Sequence, residues 1–397
     1  MLNNKVSFYK IPGVRSVAIS ARVKAGSWFE KDKDWGLAHL VEHMFFQGTE
    51  KFPTKEKFDD YIEKNGIYCN AWTSGPAIHI FIKGPDEKYE ECKILLNELL
   101  TNVYFSENKL ENEKKVIERE YADKWSKPEN RFDREISKQL FGDGHQYIRD
   151  GVGVIEYVSN ASRQSLKSYY GNFVNSSNSC VGISGNVDDS ENIGLNEQYD
   201  LKWNIEDIHP GERSMTHYEE GLKSATLVLT NFVKGMYDSD RKYRSIFSLI
   251  SYTLGGSMRS ILFKKIRDEL GLAYSVNSQS TFLPTVGLFQ ITTKIPEEKI
   301  DSVISEIKKE LADYKNTLTD DVFDKAKTYQ KWQRVMAFDT PSNVAERLSN
   351  QLLWEGKTYS LDEELKLLES ITKNELLEVY NNAFKEADPF ISIMRTK

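Results

Sequence analysis

Trp35-Gly-Leu-Ala-His39-Leu-Val-Glu42-His43-Met-Phe-Phe46 reads as a helix with two unlike faces. At about 100° per residue, His39, Glu42 and His43 share one stripe, and Leu37, Leu40, Val41, Met44 and Phe45 share the other. The apolar stripe predicts the side that meets a core. The two imidazoles stand one turn apart, so both can reach one ion at about 2.0–2.1 Å, the ordinary zinc to nitrogen distance. Glu42 lies beside them, placed to take a proton from water at that ion. Histidine is scarce, 6 residues in 397, and a chance His-x-x-Glu-His in such a chain has odds on the order of one in a hundred.

The order His-x-x-Glu-His is that of the inverzincins. From Gly36 through Gly48-Thr49 the segment resembles the zinc signature of the pitrilysin-type metallopeptidases, the family of insulin-degrading enzyme and the mitochondrial processing peptidases. The resemblance implies one Zn2+ per chain, held by His39 and His43, with Glu42 as the general base of a peptidase.

Composition is compatible with this. A length of 397 residues fits two domains of about 200. The hydrophobic share of 39% and charged share of 28% are those of a soluble globular protein. A net charge of −7 argues against nucleic acid as a partner, which calls for a basic patch. Cys69, Cys92 and Cys180 show no metal-type spacing and leave one over, which suits a reducing compartment. The first ten residues contain no signal-like apolar run, and no stretch is long enough to span a bilayer. The expectation is a cytoplasmic protein without membrane attachment.

Two β-branched, alternating runs around Pro12-Gly13 predict a hairpin or strand pair over 6–24. A helix opened by Pro53-Thr54 runs to Asn65-Gly66, residues 68–83 alternate as strands around a turn at Ser74-Gly75-Pro76, and 86–103 is an amphipathic helix. Residues 162–173 read as helix and 179–187 as strand. Residues 188–211 are polar and turn-rich and form the connection, with the linker set at 201–215. His209 and His217, in or just after it, have no carboxylate or cysteine at ligand spacing and read as surface histidines.

Leu110-Glu-Asn-Glu113-Lys-Lys-Val116-Ile117-Glu118-Arg-Glu120 is a clear helix, with Glu113 and Glu120 on the face of Leu110, Val116 and Ile117. Carboxylates flanking an apolar face need a partner, and a cation there would supply one; a solvated, charge-rich helix is the other reading. The family carries its third zinc ligand in a similar pattern of Glu, three residues, an aliphatic, two residues and Glu. That resemblance points to Glu120 as ligand and Glu113 as its supporting neighbour.

The second half repeats the first. Residues 323–341 lie on 110–128 at an offset of 213, Tyr380 through Phe384 on Tyr169 through Phe173 at 211, and Gly271 on Gly66 at 205. Gln333 stands at the place of Glu120, and the recurrence of the zinc helix falls at Leu254 through Phe263, which has no histidine. The predicted fold class is α+β: two similar α/β half-domains from an internal duplication, each a mostly antiparallel sheet packed with helices. The first, 1–200, binds zinc; the second, 216–397, is degenerate.

Arg267 and Tyr274, seven apart around Leu270-Gly271, match in spacing an arginine and a tyrosine with which the family holds substrate. A guanidinium can bind a carbonyl or carboxylate and a phenol can donate to an oxyanion; a solvated helix arginine and a packed aromatic are the plain alternative. The family further implies an unstructured peptide substrate inside a chamber formed by two subunits, a homodimer or a heterodimer with a related chain. It also implies Asn70 and Ala71 as the substrate-pairing edge strand, where an ordinary half-buried strand fits the sequence as well. A non-catalytic peptide-binding or scaffolding subunit is the rival reading.

Overall fold

Ser16–Val23 sets the pattern of the first sheet. Val17, Ile19, Ala21 and Val23 join one apolar core with Leu40, Val41, Met44 and Phe45, while Ala18 on the opposite face packs with Phe81 and Ala345. A strand covered on both faces reads as a nearly continuous apolar run. The protein is described by a computed structural model covering residues 6–175, 178–188, 204–384 and 388–397. Of the expected linker, 201–203 lie outside the described residues, as does most of the polar connection.

In chain order, β1 (Val6–Lys10) and β2 (Ser16–Val23) precede α1 (Leu37–Phe45), α2 (Lys55–Asn65), β3 (Tyr68–Thr73), β4 (Ile78–Pro85) and α3 (Tyr89–Thr101). There follow α4 (Glu107–Ser126), α5 (Pro128–Phe141), α6 (Ile155–Asn160), α7 (Arg163–Phe173) and β5 (Ser179–Gly185). The second half contains β6 (Ser214–Glu219), β7 (Ala225–Lys234), α8 (Arg241–Leu254), β8 (Ser275–Phe282), β9 (Val286–Ile295) and α9 (Ile300–Ala312). It closes with α10 (Tyr314–Thr317), α11 (Asp320–Met336), α12 (Pro341–Glu355), α13 (Leu361–Glu369), α14 (Lys373–Phe384) and β10 (Phe390–Thr396). Among the described residues no helix is long and apolar enough to cross a membrane.

The two sheets have one topology. The first runs β1-β5-β2-β4-β3 and the second β6-β10-β7-β9-β8, each with a single parallel pair. The chain is thus α+β with two similar halves, as the internal repeat predicts. The two strands around Pro12-Gly13 form, but not as partners: β5 inserts between them, parallel to β1 and antiparallel to β2. A turn signal marks where the chain bends, and says nothing of a strand arriving from far along the sequence.

Each compact unit takes one helix from the opposite half of the sequence. The first comprises Met1–Lys127, His145–Asn204 and Ala337–Tyr359; the second comprises Pro128–Gly144, Ile205–Met336 and Ser360–Lys397. In the first, α12 covers β1, β2 and β5. In the second, α5 packs on β6 and β10, tied by a bidentate Arg131–Glu219 pair at 2.6 and 2.7 Å. His217 also reaches Glu219, at 2.8 Å, so it is a half-buried partner in this clasp, not the surface histidine expected.

The close seat of α12 depends on Gly182 in β5. A Cβ there would come within 2.1 Å of Ala345 O and 2.7 Å of Ser349 N. Gly182→Ala is expected to cost at least about 3 kcal/mol, the upper end of ordinary overpacking, because backbone cannot move aside as a side chain can. Thermal or denaturant unfolding measures it, and a change below about 1 kcal/mol would show that the helix is loosely seated.

The helix equivalent to α1 is α8, not the stretch 254–263. Buried positions 37, 38, 40, 41, 42, 44 and 45 of α1 coincide with 246, 247, 249, 250, 251, 253 and 254 of α8, an offset of 209. Ser248, Ser251 and Tyr252 therefore stand where the first half has His39, Glu42 and His43. Without a histidine to anchor the comparison, only the burial pattern reveals the match.

Candidate metal centre

The helix carrying the histidines starts from an unusual base. Gly36 is its N-cap at φ 118° and supplies no capping side chain. Its left-handed backbone favours glycine, and a Cβ would meet Val158 Cγ2 at 2.5 Å. The cap comes instead from Glu30, whose carboxylate accepts from Gly36 N at 3.1 Å and Ala38 N at 2.6 Å. This satisfies N–H groups that have no partner within the helix. Burial pushes the Glu30 carboxyl up to about 8 against the opposing effect of those two bonds. No sequence signal marks Glu30, because it acts from six residues before the N-cap.

The helix then presents His39, Glu42 and His43 toward α4 and β3, as the stripe predicts. His39 Nε2 and His43 Nε2 are 3.3 Å apart. Glu120 Oε2, from α4, lies 3.6 Å from the first and 3.4 Å from the second. Among the described residues no other three His, Cys, Asp or Glu side chains converge in this way. Glu113, two turns earlier on α4, has Oε2 2.9 Å from His43 Nδ1. Glu113 and Glu120 of α4 thus both face the α1 helix, with side chains 14% and 47% exposed.

The separations test whether a metal fits. Donors about 2.1 Å from a tetrahedral ion lie about 3.4 Å from one another, and the three pairs measure 3.3, 3.4 and 3.6 Å. In neutral His43, Nδ1–H donates to Glu113 and Nε2 is then a lone pair pointing at another ring nitrogen and a carboxylate. His39 Nδ1 is buried with no hydrogen-bond partner. A cation among the three donors removes the conflict between the facing lone pairs. Two imidazoles and one carboxylate suit zinc, and three protein donors leave one position open, the pattern of catalytic sites.

Glu42 stands just outside this set, with Oε2 3.9 Å from His39 Nε2. Thr73 Oγ1, at the end of β3, donates to the same Oε2 at 3.1 Å. Burial raises the Glu42 carboxyl to about 7, outweighing His43 and the Thr73 bond. Burial holds His39 down at about 3, helped by His43 and Lys124. For His43 burial acts downward too, but the Glu113 hydrogen bond and the nearby carboxylates of Glu42 and Glu120 leave it above its ordinary value. Thr73 is the contact that sequence reasoning assigned no role.

Asn70 and Ala71 lie in β3, which pairs with β4 alone and is the terminal strand of its sheet. Ala71 is buried and Asn70 exposed, so β3 is an edge strand that is also half-buried, and both readings of it stand. Arg267 and Tyr274 belong to the second unit. Arg267 sits in a π-helical stretch, Phe263–Glu269, with its guanidinium 4.7 Å over the Phe263 ring. Tyr274 is 66% exposed and directly precedes β8. The second unit has no donors at the equivalent place: Ser248, Ser251, Tyr252, Ala326 and Gln333 replace His39, Glu42, His43, Glu113 and Glu120.

The comparisons with known proteins agree with this division. Residues 5–147 match the model of Insulinase (Peptidase family M16), and 160–329 match Peptidase M16 inactive domain. The chain belongs to peptidase family M16. An "uncharacterized zinc protease" of Rickettsia felis is 24% identical over 386 residues, covering 95% of this chain and 92% of its own. Mitochondrial-processing peptidase subunit beta of Caenorhabditis elegans is 23% identical over 403 residues, covering 94% and 84%. A protease from Helicobacter pylori shares the M16 fold at a TM-score of 0.83 and 19% identity, over 99% of this chain and 98% of that one. Zinc is the metal named for the Rickettsia felis relative of this M16 chain.

Proposed function

We propose that this chain is a zinc-dependent endopeptidase that hydrolyses unstructured peptides, with one zinc held by His39, His43 and Glu120. The observation that carries the reading is the 3.3–3.6 Å triangle of donor atoms with Glu42 at its border. Bound zinc would supply Lewis-acid polarisation of the scissile carbonyl and acidify water. Glu42 takes the proton of the attacking water and hands it to the departing amine nitrogen. Thr73 holds the carboxylate in place for both transfers. Glu113 fixes the His43 tautomer and ring orientation, the usual work of a carboxylate behind a ligating histidine.

The substrate lies extended along the open edge of β3, with Asn70 and Ala71 supplying main-chain hydrogen bonds. Arg267 anchors the peptide and Tyr274 donates to the oxyanion. The second unit, to which both residues belong, serves this binding role. Two chains, as a homodimer or with a related subunit, enclose the peptide in a chamber. Cys69, Cys92 and Cys180 form no disulfide, which suits work in the cytoplasm.

The decisive experiment is cleavage of a quenched, unstructured peptide by the purified protein, with zinc counted per chain and sedimentation measured alongside. One zinc per chain, loss of cleavage with a chelator and recovery on adding zinc are the expected results. Zinc without cleavage would favour the non-catalytic subunit, and absence of zinc would remove the ligand assignment. Glu113→Gln is expected to weaken zinc binding about 10- to 100-fold, measured by competition with a chromogenic chelator.

A further inference from the structure

Behind the edge strand a row of side chains crosses the sheet on the face covered by α12. Arg22 on β2, His79 on β4 and Trp72 on β3 are in direct register. His79 is 5% exposed and Trp72 stacks on it, with centroids 4.9 Å apart at 25°. Arg22 Nη1 lies 3.2 Å from His79 Nε2, and Ser74 Oγ 3.0 Å from the same atom. Arg22 Nε also donates to Ser349 Oγ at 3.2 Å, and Glu346, next along α12, adds a favourable charge.

The guanidinium can only donate, so His79 Nε2 is an acceptor and its proton is on Nδ1. That Nδ1 is buried without a partner. A buried unpaired N–H is costly, and an apolar side chain would fill the same space without it. The acceptor at Nε2 is what the histidine contributes. It faces Ser74, the residue after Thr73, whose one hydroxyl proton is shared between His79 Nε2 at 3.0 Å and Ala77 O at 2.8 Å, in a turn also pinned by Ser27 N to Ser74 O and Trp28 N to Gly75 O.

We infer that His79 is a positioning residue for the proposed base: by accepting from Ser74 and Arg22 it fixes the end of β3, so that Thr73 Oγ1 stays on Glu42. The inference rests on the peptidase reading for its kinetic consequence and on geometry alone for its mechanical one. Ser349 and Glu346 make α12, from the second half of the sequence, part of this support.

The test compares His79→Leu with His79→Gln, whose side-chain oxygen restores an acceptor. His79→Leu is expected to lower kcat roughly 10- to 100-fold, the scale of a small misplacement of reacting groups, with KM within about twofold and zinc content unchanged. Amide hydrogen exchange over residues 70–77 is expected to accelerate, while exchange over 37–46 does not. His79→Gln is expected to recover most of both. Equal damage in the two variants, or accelerated exchange over 37–46 together with 70–77, would reduce His79 to a packing role and overturn the inference. Unchanged exchange over 70–77 would overturn it as well. If wild type fails to cut the peptide, the peptidase reading falls, and the exchange data still decide whether His79 fixes the turn.

Discussion

Glu42→Gln is expected to keep one zinc per chain and to lower kcat by between about 10²- and 10⁴-fold, the usual contribution of general acid–base catalysis. The substitution is nearly isosteric, and an amide oxygen can still accept from Thr73 Oγ1, which now lies 3.1 Å from Oε2. The side chain is 10% exposed, so shape matters and is preserved. What disappears is the ability to take a proton. KM is expected to stay within a few fold, because the substrate contacts assigned to Asn70, Ala71, Arg267 and Tyr274 are untouched. Metal analysis beside steady-state kinetics decides it: loss of zinc would make Glu42 a ligand, and cleavage at the wild-type rate would move the base elsewhere. Stability gives a second readout. In the metal-free protein the Glu42 carboxyl sits at about 7 against an ordinary 4.5, so the native state binds its proton more tightly than the unfolded chain. The raised value means that this group's contribution to stability is fully present below about 4.5 and is lost as pH rises through about 7. Metal-free Glu42→Gln is therefore expected to melt no lower than metal-free wild type at neutral pH, and higher above pH 7.

The candidate centre was readable because its chemistry restricts residue type and spacing together. His39, Glu42 and His43 could be placed on one helical stripe from the sequence, and Glu113 and Glu120 on another. Thr73, Glu30 and His79 were hidden for the opposite reason. Each acts through hydrogen bonds to residues from a different element, and Thr, Glu and His occur commonly without such a task. The edge position of β3 likewise depends on what fails to pair with it, which no local pattern records. The sheet topology was legible as a repeat but not as an order. β5 separates β1 from β2 through pairing across more than 170 residues, as in Val6 with Val181. In the second half the signal faded where function had left: α8 has the buried positions of α1 and none of its donors.

The exchange of α5 and α12 leads to the second large effect: residues 1–204 alone are expected not to fold into a stable, zinc-binding unit. That fragment lacks α12, whose Val344, Leu348, Leu352 and Leu353 are all at most 3% exposed. At about 1.5–3 kcal/mol for each buried aliphatic side chain, their loss is comparable to the whole 5–15 kcal/mol stability of an ordinary domain. The fragment does contain α5, which aligns with α12 at the offset of 213 that matches Pro128 to Pro341. It cannot take the vacant place. At that offset Phe132 falls on Ala345, Glu135 on Leu348 and Ile136 on Ser349. Gly182 admits the helix backbone only because Ala345 and Ser349 are small, and Leu348 Cβ would lie 2.8 Å from a Cβ at Gly182. A glutamate at the Leu348 position would bury an unpaired charge, and isoleucine at Ser349 would remove the hydroxyl that meets Ser20 at 2.8 Å and Arg22 at 3.2 Å. The expected observations are a broad, non-cooperative melt and dye binding for 1–204, with cooperative unfolding and zinc binding regained when a peptide of residues 337–359 is added. In the full chain, Leu348→Glu should reproduce the loss, lowering stability by at least about 4 kcal/mol, as few single substitutions do. A fragment 1–204 that melts cooperatively and binds zinc as the whole chain does would mean that the first sheet can be covered without the second half, and that α12 is dispensable to the centre it backs.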